Sequence, residues 1–269
     1  MLQELTSTTK LLKPPLKWAG GKRWLVPILR PYWDRFTDRR YVEPFCGGLA
    51  TALGMQPQQA LLNDLNPHLI NFYEWLQRGL KIDQSFFNDS EKYYEARNRF
   101  NEMIRNGAAE TAESAELFYY LNRTGYNGLC RFNRRGEFNV PFGTYKTINY
   151  ASDFFDYVNT LSAWEFRNGD FQSIELQDDD FIYADPPYDV EFVSYSKEGF
   201  NWEDQERLAE WLAKRKSPVI ISNQQTDRTV KLYTDLGFDV HYFDAPRRIS
   251  SDGNRKPAKE VLALKNIGD

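Results

Sequence analysis

The sequence has 269 residues, 41% apolar and 27% charged, with a formal net charge of −4 at pH 7, which fits one large domain or two small ones. This composition excludes a collagen-like, disordered or membrane-embedded chain. Two cysteines and two histidines, all far apart, predict neither a disulfide framework nor a metal site. Because no apolar run approaches ~18 residues and the N-terminus lacks the features of a secretory signal, we expect a cytoplasmic protein without a membrane partner.

The first predicted elements are two strand–helix units. Residues 41–45 end at the glycine pair Gly47 and Gly48, which indicates a strand, a tight turn and a helix. Residues 60–64 form a second short apolar run, and a helical pattern follows over residues 67–80. The second run ends in polar residues, which is typical of a strand that reaches a ligand site.

Residues 85–160 interrupt this alternation. Charged helical patterns give way to a stretch rich in Gly, Arg, Asn and aromatic residues at 123–143, which we call the recognition segment. Such a stretch is poor core material and favours a loop or hairpin that carries recognition, with a turn at Arg135-Gly136. We therefore predict an inserted, mainly helical subdomain at 85–160. The predicted main domain consists of residues 1–84 and 161–269.

The last predicted elements return to strands and helices. An amphipathic helix at 202–216 precedes the last of three further strands, and residues 240–243 and 261–264 can pair as a closing hairpin. Strands that alternate with helices predict an α/β fold with a doubly wound, mostly parallel sheet, whose ligands bind at the carboxyl ends of the strands. The three further strands are predicted at residues 166–170, 181–185 and 218–223.

Charge is distributed unevenly along the chain. Three blocks rich in Lys and Arg contrast with the negative net charge of the whole sequence. If these blocks fold onto one face, they form a surface that suits a phosphate backbone. If they do not, they are only solvated faces, and charge alone leaves both interpretations open. The blocks cover residues 10–40, 123–146 and 247–259.

The tetrapeptide Asp185-Pro186-Pro187-Tyr188 follows a predicted strand directly. Its two prolines fix the backbone and remove hydrogen-bond donors at the strand exit. A carboxylate and a carbonyl oxygen at such a place can both accept hydrogens from an amino group on a planar ring, while the tyrosine stacks on that ring. Asp-Pro-Pro is also ordinary turn chemistry, so the tetrapeptide alone does not decide.

Two further candidate segments contain glycine pairs. Gly47 and Gly48 would let the backbone approach a ligand closely, and the N-terminus of the next helix favours a carboxylate. Asp64, at the end of the second predicted strand, is suited to accept both hydroxyls of a ribose. Nearer the N-terminus, Lys17 and Lys22 bracket an aromatic residue and a glycine pair, which suits a loop that holds an anionic group.

In chain order, these motifs resemble the Dam family of adenine-specific DNA methyltransferases in its alpha arrangement. The resemblance covers nearly the whole chain and implies a Rossmann-like methyltransferase fold with S-adenosylmethionine as methyl donor. It also implies double-stranded DNA as partner and methylation of adenine N6 by base flipping, in the palindrome GATC. We further expect a monomer in solution. The motifs are residues 17–22, 43–45, 63–64, 126–133, 136–143, 185–188 and 248–250.

The resemblance implies a role for each matching position. Asp185 and the carbonyl of Pro186 would accept the hydrogens of the adenine amino group, and Tyr188 would stack on the flipped base. The implied cofactor residues are Trp18, Lys22, Glu43, Phe45, Gly47, Asp64, Asp170, Phe171 and Asp185. The implied DNA-recognition residues are Lys17, Tyr126, Asn127, Leu129, Arg131 and Pro141.

Arginine chemistry separates the predicted DNA contacts further. The guanidinium fork of Arg131 matches the two acceptors that guanine presents in the major groove, so we predict Arg131 as the main sequence reader. We predict that Arg134, Arg135 and Arg248 contact phosphates, which position a protein without specifying sequence. Leu49 departs from the family pattern, because many relatives have a third small residue there, and this affects only the fit around the carboxylate of the cofactor.

Two rival interpretations remain. RNA and protein glutamine methyltransferases use similar pockets but favour Asn at the position of Asp185, and they do not explain the Arg- and Asn-rich recognition segment. A catalytically silent DNA-binding regulator would not need Asp185, Pro186 and Tyr188 together. The sequence is equally compatible with a restriction–modification, phage or housekeeping enzyme.

Overall fold

The computed structural model describes residues 11–82, 85–188, 199–245 and 258–268. Its described strands form one seven-stranded sheet in the order β3-β2-β1-β4-β5-β7-β6. Only β7 runs antiparallel to its neighbours, β5 and β6. The strands are β1 (Tyr41–Glu43), β2 (Ala60–Asp64), β3 (Trp164–Asn168), β4 (Phe181–Ala184), β5 (Val219–Gln224), β6 (Asp239–Ala245) and β7 (Ala258–Lys265).

The central strands are buried because helices cover the sheet. All residues of β1 and β4 are buried, which is typical of parallel strands that are packed on both faces. The chain reverses its direction of winding between β1 and β4, where open α/β sheets form a crevice for ligands. The helices are α1 (Val26–Trp33), α2 (Ala50–Met55), α3 (Pro67–Gln77), α4 (Ser90–Arg105), α5 (Ala112–Thr124), α6 (Phe155–Leu161), α7 (Trp202–Ala213) and α8 (Asp227–Asp235).

The predicted doubly wound, mostly parallel sheet is therefore confirmed, as is the closing hairpin formed by β6 and β7. The third strand lies two residues earlier than predicted. Trp164 is buried and pairs with Ala60 at the start of β2, whereas Gly169 and Asp170 lie beyond the strand. Burial of the Trp164 indole sets the start of the strand, and the polar residues at 168–170 do not mark its end reliably.

The inserted residues contain α4 and α5, and α5 packs against α3 of the sheet layer. The rings of Phe72 and Tyr119 stack with centroids 5.5 Å apart across this contact. In the recognition segment, Phe132 and Phe138 form an antiparallel bridge, and Gly136 adopts the left-handed φ of 75° that its turn requires. The hairpin and its turn at Arg135-Gly136 are thus confirmed, while the domain boundaries stay predictions.

No described helix is long and apolar enough to cross a membrane.

Candidate active site

A pocket of about 890 Å³ opens at the carboxyl ends of β1, β2 and β4, next to the reversal of winding. Its walls come from six segments that are distant in sequence, together with Phe200, which precedes α7, and with Asp204 and Arg207 on α7. A volume of this size lies in the range of pockets that bind cofactors and other small molecules. The six segments lie within residues 18–22, 44–51 (without Leu49), 64–65, 128–130, 169–171 and 185–188.

Trp18 packs directly on the glycine pair after β1. A Cβ atom on Gly47 would lie 2.8 Å from the indole Nε1, and a Cβ atom on Gly48 would lie 2.7 Å from the Cβ of Trp18. Gly47 also adopts a left-handed φ of 43°. Leu49, two residues after Gly47, also has a left-handed φ of 60°, although it is not glycine. Its side chain is fully buried. The turn is therefore built around the indole, and the glycines make this close approach possible.

Asp64 closes the pocket at the end of β2. The backbone N–H of Gly47 donates to Oδ2 at 3.1 Å, and the backbone N–H of Asn66 donates to Oδ1 at 2.9 Å. Burial raises the pKa of Asp64, and these two donors act in the opposite direction. Beside it, Leu65 is 75% exposed and lines the same pocket. Within the described residues, only backbone N–H groups donate to this carboxylate, and an unusually exposed apolar side chain lies next to it.

Glu43 occupies a different environment from the one its motif suggested. Its side chain is 1% exposed, and the hydroxyl of Tyr41 donates to Oε1 at 2.7 Å. Burial raises the pKa of Glu43 to about 8, so the carboxyl is mainly protonated at neutral pH. Among the described residues that line the pocket, Phe45 and Gly47 are present and Glu43 is not. Direct contact of Glu43 with a cofactor stays a prediction.

Asp185 follows β4, and the described part of the chain holds it through one oxygen. The hydroxyl of Ser222, on β5, donates to Oδ1 at 2.7 Å, and the ammonium of Lys22 lies 3.1 Å from the same atom. Burial raises the pKa of Asp185, while Lys22 and Ser222 lower it. The adjacent Pro186 is buried and lines the pocket. The chain therefore presents an acidic group in a poorly solvated place beside a cation.

Tyr188 is fixed at both ends of its side chain. The Lys22 ammonium lies 4.2 Å from the ring centroid, and the hydroxyl donates to Oε2 of Glu260, on β7, at 2.6 Å. Burial and the neighbouring carboxylates raise the pKa of Tyr188, so it remains a neutral donor. We call residues 185–188, with Ser222 and Glu260, the strand-end wall.

Asp170 and Phe171, which the family resemblance implies as cofactor residues, lie on the pocket wall after β3. Arg207, from α7, binds both carboxylate oxygens of Asp170 at 2.8 Å and lies 4.3 Å from the ring centroid of Phe171. This ion pair lowers the pKa of Asp170. The Asp170 carboxylate already has an internal partner, so a role in cofactor binding stays a prediction.

Lys17 joins the N-terminal loop to the recognition segment. Its ammonium donates to the backbone oxygen of Arg123 at 2.8 Å and lies 3.6 Å from the ring centroid of Tyr145. Burial, followed by the charge of Arg123, lowers the pKa of Lys17 to about 8. A Cβ atom on Gly128 would lie 2.3 Å from the Cβ of Lys17, so loop and segment are in close contact.

The other predicted DNA residues form an exposed edge next to the pocket. The Nε of Arg131 donates to Oδ1 of Asn139 at 2.7 Å, which holds the guanidinium along the hairpin. Leu129 is half-buried and lines the pocket. Arg248 lies outside the described residues. The exposed positions are Tyr126, Asn127, Arg131, Arg134 and Pro141.

Three residues that contact the predicted site lie outside the sequence motifs: Ser222, Glu260 and Arg207. Each contacts a predicted site residue from an element that lies far along the chain, 37 residues away for Ser222 and 72 for Glu260. A polar residue near the end of an otherwise apolar strand was the available signal, and Ser222 fits it. Within the described part of the chain, no group of three or more His, Cys, Asp or Glu residues is suited to hold a metal ion.

One solved structure similar to this chain is the N-terminal domain of human METTL16 in complex with SAH, at 9% identity. The alignment covers 90% of this chain and 68% of that one with a TM-score of 0.40, a likeness too low to support a functional conclusion.

Sequence relatives are much more similar. The DNA adenine methylase of Escherichia coli (strain K12) is 35% identical over 94% of this chain and 95% of that protein. The type II methyltransferase M1.LlaDCHI of Lactococcus lactis subsp. cremoris is 32% identical over 96% of each chain. The DNA N-6-adenine-methyltransferase of Escherichia phage P1 is 35% identical over 92% of this chain, which spans only 35% of that protein's length. The sequence model of the D12 class N6 adenine-specific DNA methyltransferases matches residues 18–249, so the chain belongs to this family.

Proposed function

We propose that the protein methylates N6 of adenine in double-stranded DNA, with S-adenosylmethionine as donor, at GATC sites and after extrusion of the target base. The observation that carries this proposal is the strand-end wall, where a half-buried carboxylate and a fixed aromatic ring border one pocket. Asp185, the proline that follows it and Tyr188 supply the acceptors and the stacking surface that an extruded adenine needs.

The residues that line the pocket suit a cofactor that contains a nucleoside. Asp64 offers a carboxylate that suits ribose hydroxyls, and burial of the surrounding wall favours an apolar, planar ring. Phe45, Gly47 and Trp18 would surround the methionine half, and Asp170 and Phe171 would border the adenine. When bound, S-adenosylmethionine supplies an electrophilic methyl group.

The residues of the strand-end wall can raise the low nucleophilicity of the adenine amino group. An adenine amino group is a poor nucleophile because its lone pair is delocalised into the ring. Hydrogen bonds from that group to Asp185 and to the carbonyl of Pro186 favour a tetrahedral nitrogen with a localised lone pair. The bond to an ionised carboxylate is the stronger of the two, and stabilisation of this kind is worth ~3–4 kcal/mol.

Extrusion of the base has a cost of a few kcal/mol, because stacking and pairing are lost. Stacking on Tyr188 offsets ~1–3 kcal/mol of it. The hydrogen bond from the Tyr188 hydroxyl to Glu260 holds the ring in place before DNA arrives, so little further ordering is needed.

Recognition of GATC is supported by the resemblance of residues 126–143 to the Dam family. Arg131 suits a guanine edge, a contact worth ~1–3 kcal/mol of discrimination. Arg134 and Arg248 suit phosphates, which contribute affinity without sequence preference.

The test is incubation of the purified protein with unmethylated plasmid and methyl-labelled S-adenosylmethionine, followed by digestion with enzymes sensitive to adenine methylation. We expect label in DNA and altered cleavage at GATC sites alone. Label at other adenines would remove the GATC assignment but keep the enzyme class. Label in added RNA or protein and not in DNA would favour the rival methyltransferase interpretation.

A further inference from the structure

We propose that Ser222, supported by Tyr183, is a positioning residue that fixes the carboxylate of Asp185 with one oxygen available to the adenine amino group. This inference rests on the proposed function and extends it to two side chains on neighbouring strands that do not line the pocket.

The geometry forms a chain of hydroxyls that leads to the carboxylate. The Tyr183 hydroxyl and Ser222 Oγ are 2.9 Å apart, and Ser222 Oγ lies 2.7 Å from Oδ1 of Asp185. An ionised carboxylate only accepts hydrogen bonds, so Ser222 donates to Asp185 and Tyr183 donates to Ser222. Because burial raises the pKa of Tyr183 well above its ordinary value, its hydroxyl keeps the proton that this order requires.

The chain of hydroxyls selects one oxygen. Ser222 and Lys22 both contact Oδ1, and within the described residues no hydrogen bond to Oδ2 is present. Two donors on the same atom restrict rotation of the carboxylate, because rotation would break both contacts. Oδ2 is then the natural acceptor for the incoming amino group.

Burial makes this arrangement rigid. Ser222 is fully buried and Tyr183 is 2% exposed, on strands whose register places Ala184 opposite Ile221. A buried hydroxyl without a partner is costly, so the two side chains keep their orientation. The other residues of this part of β5, such as Val219 and Ile221, are apolar. Packing of the core alone therefore does not require a hydroxyl at Ser222.

The ionisation of Asp185 depends on every charged or titratable group that faces it. Lys22 favours the anion from the N-terminal loop. Glu43 from β1, Glu260 from β7 and the tyrosines at 183 and 188 also interact with the carboxylate. The hydrogen bond from Ser222 lowers the pKa of Asp185, so its removal raises that pKa.

The test compares Ser222→Ala, Tyr183→Phe and Ser217→Ala with the wild type. Ser217 is a matched control, because it is also buried, lies just before β5, and bonds the backbone oxygen of Gln177 instead of the pocket. We expect S222A to lower kcat by roughly 10- to 100-fold and Y183F by roughly 3- to 10-fold. The dissociation constant for S-adenosylmethionine should not change.

The pH profile separates positioning from general damage. Activity requires the Asp185 anion, so the acid limb of the rate profile should move to higher pH in S222A, and the S217A limb should not move. A serine that acts only structurally would reduce thermal stability without moving this limb, and that result would overturn the inference. If S222A does not fold, the acid limb of Y183F is measured instead, because this variant removes one hydroxyl and keeps the ring. An acid limb that does not move in Y183F would likewise overturn the inference. Absence of methylation by the wild type would instead refute the proposed function itself.

Discussion

The strand-end wall and the recognition segment border the same pocket, but their polar groups are held in opposite ways. In the wall, Asp185 and Tyr188 bond to buried residues of β5 and β7. In the recognition segment, Arg131 is exposed and bonds to Asn139 of the same hairpin. The wall is organised before any ligand binds, which suits electrostatic stabilisation of a reaction. The segment can exchange its internal partners for DNA at little cost.

Electrostatics sharpen this contrast. Burial raises the pKa of Asp185 and of Glu260 in the wall. A charge there interacts strongly with its neighbours because water is largely excluded. Charges on the exposed hairpin are screened by solvent and salt, so they suit long-range attraction of a charged partner more than stabilisation of a reaction. Substitutions in the two regions should therefore affect different measurements.

The largest effect is expected for Asp185→Ala. Loss of the acceptor should lower kcat by at least ~10²–10³, since no other described carboxylate contacts Lys22 at this position. Single-turnover methylation of a duplex with one site measures the rate, and equilibrium binding should show that cofactor is retained. Turnover close to that of the wild type would remove the wall from catalysis.

Asp64→Ala should weaken the binding of S-adenosylmethionine by roughly 10- to 100-fold, because a charged acceptor at the end of β2 is lost. Calorimetric titration measures the constant. Asp178→Ala is the control, since Asp178 is an exposed partner of Lys216 far from the pocket. An unaltered dissociation constant would exclude Asp64 from ribose binding.

Arg131→Ala should reduce discrimination between guanine and other bases by ~1–3 kcal/mol while general DNA affinity changes less. Arg134→Ala should weaken all sequences alike and reduce the salt dependence of binding. Competition binding with single-base variants of the site distinguishes the two. An identical profile for both variants would mean that the hairpin does not separate reading from positioning.

Gly48→Ala should destabilise the protein by ~1–3 kcal/mol, because the new methyl group would lie 2.7 Å from the Cβ of Trp18. Gly21→Ala is the control. Its new methyl group would lie 3.5 Å from the backbone oxygen of Trp18, which is an ordinary van der Waals contact, so stability should change little. Urea denaturation compares the two. Equal stability of G48A and wild type would show that the indole moves easily.

Much of the sheet was predictable because buried strands leave local signals. The apolar run at residues 60–64 coincides with β2. Helix α1 was not predicted, since Pro31 lies inside it and a second proline lies in its first turn. Prolines are tolerated at a helix start, and packing of Leu29 and Trp33 outweighs the loss of a hydrogen bond within this short helix.

The candidate site was predictable only as far as its motifs extend. Asp64, Asp185 and Tyr188 stand in local patterns, and the structure brings them to one pocket. Glu260 has no local signal, because its contact with Tyr188 depends on which strand lies beside β5. Register between distant strands is a property of the whole sheet and cannot be read from a short motif.

Strand β7 lies between β5 and β6, although it follows both along the chain. During synthesis on the ribosome, β5 and β6 therefore have no partner in common until residues 258–265 emerge. The same strand carries the carboxylate that fixes Tyr188. The nascent polypeptide thus acquires its complete sheet and the hydrogen-bond partner of Tyr188 in one late step, so chains interrupted before this point would lack both.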